Sequence, residues 1–160
     1  MIYREMRRQD RLLTPEEAGE ILKRGEYGVL ATVCEDGRPY AVPLSYAYDE
    51  ASGTIYFHCA AAEGQKLDNI RYDSRACFNV VADTEVLSEQ FATRYRSATA
   101  VGTVRILRED RERRQGIEAI MLKYSSDFAE SGRKYIDAAI DRMHVLALRV
   151  EQLTGKGRKT

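Results

Sequence analysis

The sequence predicts a mainly β fold, a six-stranded antiparallel barrel with peripheral helices. Three observations carry this. Strand-like patterning recurs over residues 27–34, 38–49, 54–59, 75–83, 94–108 and 144–150. Turn signals join most of these stretches, and the helical patterns fall between them without the regular alternation of a doubly wound sheet. Closing the six strands on themselves would remove the edges that an open sheet exposes. With 160 residues and no internal repeat, one domain over 1–160 is expected, with an N-terminal arm over 1–13 and a basic tail over 155–160.

The charged residues balance, 25 Lys and Arg against 25 Asp and Glu, so no overall field draws the chain to nucleic acid or anionic lipid. Arg158 and Lys159 are too short a basic run to argue for a nucleic-acid partner. Cys34, Cys59 and Cys77 are odd in number and widely spaced, which fits neither a disulfide framework nor a zinc site. The charge-rich N-terminus lacks a signal-peptide core, and no apolar run is long enough to span a bilayer. A soluble cytoplasmic protein with no bound metal is expected.

Residues 1–13 are charge-rich and loosely attached in this reading, with Tyr3, Met6 and Leu12 as possible anchors. Thr14 and Glu17 have capping-box spacing around Pro15, and Ala18, Ile21 and Leu22 form a stripe that Gly25 ends. Asp36-Gly37 then marks a hairpin turn. In the second strand Tyr40, Val42, Leu44 and Tyr46 share one face, while Pro43, which cannot donate to a ladder, points to an edge or bulge. In the third, Tyr56 and His58 oppose Ile55, Phe57 and Cys59. A helix follows at Gln65, packing through Leu67 and Ile70.

Residues 84–93 read as a loop or short helix, and the long strand after them carries Gly102 as a bend or bulge. Ile117, Ile120, Met121 and Tyr124 make one amphipathic helix; Tyr135, Ile136, Ala139 and Ile140 mark another. After the closing strand the tail is expected to fray beyond Gly155.

The stretch IYFHCAAAEGQKLDNI concentrates the candidate chemistry. A strand ends in His58, crosses the small residues Ala60, Ala61, Ala62 and Gly64, and opens a helix with Lys66 in its first turn. Free backbone N–H groups, the helix dipole and the lysine suit an anion such as a phosphate, although a solvated lysine fits the same pattern. His58 and Cys59 are adjacent on a strand and so face opposite ways, which argues against a shared proton. His58 is either a partly buried histidine with a backbone partner or a proton donor or axial ligand beside a cofactor.

Four stretches in this order, EYGVLATVCEDGRPYAVPLSYAYD, IYFHCAAAEGQKLDNI, CFNVV and YRSATAVGTVRIL, resemble the nitroimidazole-resistance (Nim) branch of the pyridoxamine 5'-phosphate oxidase-like, FMN-binding split-barrel superfamily. The likeness covers about residues 5–155. It implies a split-barrel homodimer with two FMN sites at the interface, each built from both chains. By this resemblance Val42, Pro43 and Leu44 lie along the isoalloxazine, His58, Cys59 and Ala60 border the flavin, and Lys66 binds its phosphate with Asn69 nearby. Tyr95, Arg96, Ser97, Thr154 and Lys156 come from the partner.

Many relatives carry His or Arg before the lysine; here Gln65 stands there, which is expected to weaken phosphate binding. The absence of Trp and of a C-terminal Arg-rich substrate signature argues against vitamin synthesis by a pyridoxamine-phosphate oxidase. The implied activity is FMN-dependent reduction of a small aromatic or nitroaromatic substrate, with His58 as the catalytic candidate. The alternative is a flavin- or haem-binding sensor or carrier without turnover.

Overall fold

A computed structural model describes residues 4–158. Tyr3 and Lys159, each assigned a place above, lie outside the described residues. The strands form one mixed-length antiparallel sheet: β1 (Leu12–Leu13), β2 (Gly28–Val33), β3 (Pro39–Leu44), β4 (Ala47–Asp49), β5 (Thr54–Ala60), β6 (Arg75–Leu87), β7 (Ala92–Ile106) and β8 (Met143–Arg158). The helices are α1 (Pro15–Arg24), α2 (Gln65–Tyr72), α3 (Asp110–Ser125) and α4 (Ala129–Ala139).

The sheet order is β3-β2-β6-β7-β8-β5-β4, with β1 added to β8. Its two end strands, β3 and β4, are consecutive in the chain and separated only by Ser45 and Tyr46, yet they do not pair. The barrel is therefore open along one seam. The opening fits the split barrel that the family resemblance implies; the count differs, with eight strands instead of six, because the second predicted strand breaks at Ser45-Tyr46 and Leu12-Leu13 adds a short one.

The open sheet still encloses a continuous core. Leu30, Ile55, Phe57, Phe78, Val80, Leu146 and Leu148 point inward from the strands, and Ala18, Ile21 and Leu22 of α1 close one end. The capping box at Thr14 and Glu17 is formed and Pro15 opens the helix, as the spacing predicts. Tyr46 and Phe57 each meet Phe78 edge-on, at ring-centroid distances of 4.8 and 4.9 Å. A second apolar layer, including Tyr56, Ile117, Ile120, Ile136 and Val145, packs α3 and α4 on the outer face of β5 and β8.

Further corrections follow from packing. Residues 84–93 are mainly strand, since β6 continues to Leu87 and β7 starts at Ala92 around a single 3-10 turn at Ser88–Gln90. Beyond Gly155 the chain is no frayed tail: β8 runs to Arg158, held between β7 and β1, with Gly155 and Gly157 buried. Leu13, rather than Leu12, anchors the arm in the core. Tyr135 is exposed instead of packed, while its neighbours Ile136 and Ala139 are buried.

Gly102 does mark an irregularity, with the register shifting so that Val101 faces Gln152 and Gly102 faces Val150. A Cβ there would stand 1.8 Å from the Arg149 carbonyl oxygen, so only glycine permits the approach. No helix among the described residues is long and apolar enough to cross a membrane.

Candidate functional site

The site is built on the seam. Strand β5 pairs with β4 only as far as Tyr56, so Phe57 to Ala60 have β8 on one side and no strand on the other. Across the seam β3 is likewise paired on one side, by β2. Val42 and Leu44 pack against the core and Pro43 is exposed, so the proline occupies the edge position its missing N–H requires.

A hydrogen-bonded cluster fixes the link between the two edges. The Tyr46 hydroxyl donates to the Leu22 carbonyl at 2.6 Å, and the Tyr46 N–H donates to the Tyr124 hydroxyl at 3.0 Å. Lys123 donates to the Gly25 carbonyl at 2.6 Å, with its ammonium 3.5 Å from the Tyr46 ring centroid. Helix α3 is thereby fastened to the end of α1 and to the seam.

Alternation along β5 sends Ile55, Phe57 and Cys59 into the core, and Tyr56 toward α3 and α4. His58, on the same side as Tyr56, is exposed and borders a cavity of about 940 Å³ between β5 and the two helices. Cys59 and Ala60 also line it. Burial by the surrounding protein, and then the positive charge of Lys66, push the His58 imidazole below its usual pKa. The Cys59 thiol is raised by burial, with Lys66 opposing the shift. Lys66 thus acts on both residues at the end of β5.

Lys66 itself is half-buried in the first turn of α2, and no carboxylate pairs with it among the described residues. Gly64, at the N-cap, offers no side-chain acceptor to the free N–H groups, and a Cβ there would meet nothing within 4 Å. The Cys59 side chain is the hydrogen-bonded neighbour of Lys66, and a cation with no carboxylate partner among the described residues, beside open backbone donors, fits a phosphate. The neighbouring loop is held in place by the Ala61 N–H, which donates to the Arg142 carbonyl at 3.0 Å.

Asn69 plays a different part. It is 1% exposed, donates to the Thr32 hydroxyl at 3.0 Å and accepts from the Gln65 amide at 2.7 Å. Gln65, the departure from the usual basic residue, is therefore part of the link that seats α2 on β2.

The remaining predicted residues gather elsewhere. Tyr95, Arg96 and Ser97 on β7 lie beside Thr154 and Lys156 on β8, with Ser97 directly opposite Lys156 and its hydroxyl donating to the Lys156 carbonyl at 3.2 Å. Arg96 pairs with Glu17 at 3.0 Å, tying β7 to the α1 capping box, while its buried Nε has no partner among the described residues. His58 to Ala60 face the opposite end of β8, across from Met143 to Val145. Lys156 is 13 residues beyond Met143, and about 40 Å of strand separates them at ~3.3 Å per residue. One chain holds the two groups at opposite ends of the same strand.

Sequence reasoning missed Arg142, Tyr124 and Phe128 as parts of the cavity wall. Tyr124 was read as a packing residue of a helix stripe. Arg142 stands on a 3-10 turn, Ile140–Arg142, whose placement beside Ala60 depends on the β5–β8 pairing and leaves no local sequence signal.

An open antiparallel barrel with a cleft beside the unpaired end of β5 defines a split-barrel protein. The family model described as pyridoxamine 5'-phosphate oxidase matches residues 14–157, and the chain belongs to this family. Among curated proteins none matches it.

Similar solved structures include a protein from Bacteroides thetaiotaomicron VPI-5482 provisionally named for 5-nitroimidazole antibiotic resistance, with TM-score 0.77 and 23% identity over 91% of this chain and 86% of that one. An FAD- and haem-binding protein from Mycobacterium smegmatis has TM-score 0.77 and 21% identity, covering 92% and 72%. An FAD-binding protein from Mesorhizobium loti has TM-score 0.63 and 23% identity, covering 93% and 98%. At these identities the likeness speaks for the fold.

Proposed function

We propose that the chain is a homodimeric, FMN-dependent oxidoreductase of the nitroreductase type, acting on a small aromatic substrate. The observation that carries this reading is Lys66, half-buried without a carboxylate partner, next to His58 and Cys59 at the unpaired end of β5. The flavin supplies electron transfer when bound. Lys66 and the open start of α2 hold the phosphate, and the edges of β3 and β5 flank the ring. Val42, Pro43 and Leu44 bound one side of the seam, His58 and Ala60 the other.

Tyr95, Arg96, Ser97, Thr154 and Lys156 complete the site from a second copy. Their separation from His58 to Ala60 along β8 within one chain supports this arrangement. Reduction of a nitro group takes up protons as well as electrons, and His58 is the candidate to deliver one because its ring borders the cavity at the unpaired end of β5.

Anaerobic incubation of the protein with chemically reduced FMN and a nitroaromatic panel tests the reading. It predicts reoxidised flavin and an aromatic amine, with the rate falling in His58→Ala. Mixing Lys66→Ala with Arg96→Ala/Lys156→Ala subunits should restore one complete site per mixed dimer. Flavin reoxidation without amine, or no gain on mixing, counts against it.

One observation favours the second reading, a haem- or flavin-binding carrier without turnover. His58 is exposed at the cavity and its ring is held toward the neutral form, which suits an axial ligand. A Soret band on haem addition, lost in His58→Ala, would select it.

A further inference from the structure

The cleft beside His58 is larger and more one-sided in charge than a single-ring nitroaromatic requires. About 940 Å³ lies near the upper end of the roughly 300–1,000 Å³ typical of small-molecule pockets. Its wall is apolar, with Ile120, Met121, Phe128, Tyr135 and Met143 prominent, and it contains no Asp or Glu. Phe128 and Tyr135 are each 69% exposed, so two large aromatic side chains stand at the mouth uncovered.

The only Lys or Arg in the wall is Arg142. No carboxylate pairs with it among the described residues; its guanidinium donates to the Ala138 carbonyl at 3.3 Å, in an exposed position. Its backbone is held by the bond from Ala61, which sets the residue beside the loop that follows His58. At the other end of the wall, Ser45 and Tyr124 connect the cleft with a smaller recess that borders Pro43.

We infer that the cleft takes a multi-ring aromatic molecule carrying one carboxylate, with its apolar body on α3 and α4 and its carboxylate on Arg142. This rests on the reading above in placing the substrate of the same site, and it names the substrate's chemical class. The guanidinium offers a two-pronged donor to a carboxylate, the aromatic rings at the mouth cover the body, and the lack of an acidic side chain removes repulsion. A one-ring compound would leave most of the apolar wall in water.

Calorimetric titration of the flavin-supplemented protein with biphenyl-4-carboxylate, its neutral amide and benzoate tests this. The carboxylate should bind about tenfold or more tightly than the amide, the scale of one charge-assisted pair, and about tenfold or more tightly than benzoate, whose single ring buries less apolar surface. Arg142→Gln should abolish the preference over the amide while leaving amide binding unchanged. Ser131→Trp, which adds bulk at an exposed position on the wall, should weaken both biphenyl ligands.

Equal affinity for carboxylate and amide, a preference that survives in Arg142→Gln, or no biphenyl binding overturns the inference. So does a change of oligomeric state in Ser131→Trp, which would mean that another copy covers the cleft. Flavin absorbance after gel filtration is read on the same samples. Flavin retained without Arg142-dependent binding removes this inference alone. Arg142-dependent binding without flavin removes the flavin reading and leaves the cleft's ligand class standing.

Discussion

Asn69 on α2 donates its side-chain amide to the Thr32 hydroxyl of β2 at 3.0 Å, and both residues are buried. The amide oxygen is occupied as well, by Gln65 at 2.7 Å. The three residues form a polar link under the lysine that the proposed site depends on. Asn69→Ala leaves the Thr32 hydroxyl buried without this donor and is expected to cost about 1–3 kcal/mol. Urea unfolding checks it; an unchanged midpoint would show that the link contributes nothing to seating α2.

His58 feels Lys66 as a like charge. Removing the charge relieves one of the two causes that lower the imidazole pKa, so Lys66→Ala should raise it. The chain has two histidines, His58 and His144, and proton NMR can follow both. An upward shift confined to His58 is predicted; no shift would place the ammonium too far away to act on it.

Lys123 is lowered to about 8 by burial. An unfolded lysine titrates near 10.4, so between these values the unfolded chain binds the additional proton. The site's contribution to stability therefore rises with pH across about 8 to 10.4 and levels off outside that window. Comparing unfolding midpoints at pH 8 and pH 10 should show a smaller rise in Lys123→Met than in the unaltered chain. Equal rises would mean that the cation–π contact with Tyr46 and the Gly25 carbonyl hold the charged form as strongly as water does.

Gly102 marks the register shift between β7 and β8. Gly102→Ala drives a methyl into the Arg149 carbonyl, where 1.8 Å separates the atoms before relaxation. Overpacking of this kind costs about 1–3 kcal/mol or more, read as a lowered thermal midpoint. An unchanged midpoint would show that the bulge at Glu151 absorbs the extra atom freely.

Elements governed by local chemistry were legible in the sequence. Thr14, Pro15 and Glu17 specify the start of α1, alternation in β5 separates His58 from Phe57 and Cys59, and Pro43 announces an edge. What depended on distant pairing was not. The last strand continues through Gly155 and Gly157 because β1 and β7 flank it, although glycine and lysine there resemble a loose tail.

The same limit applied at the site. Lys66 is visible as a lysine opening a helix after a small-residue loop, but its lack of a carboxylate partner among the described residues is a tertiary fact. Arg142 reaches the cleft only through the pairing of Met143 with Ala60. Gln65 reads as a lost positive charge until its bond to Asn69 is seen.

The central claim is that Lys66 holds the phosphate of a flavin at the barrel seam, and titration of the unaltered protein and Lys66→Ala with FMN tests it most directly. The unaltered protein should retain flavin absorbance through gel filtration. Lys66→Ala should bind about ten- to a hundredfold more weakly, the equivalent of roughly 1.5–3 kcal/mol in charge-assisted contacts. Equal affinities, or an unaltered protein that emerges colourless from excess FMN, would contradict the claim.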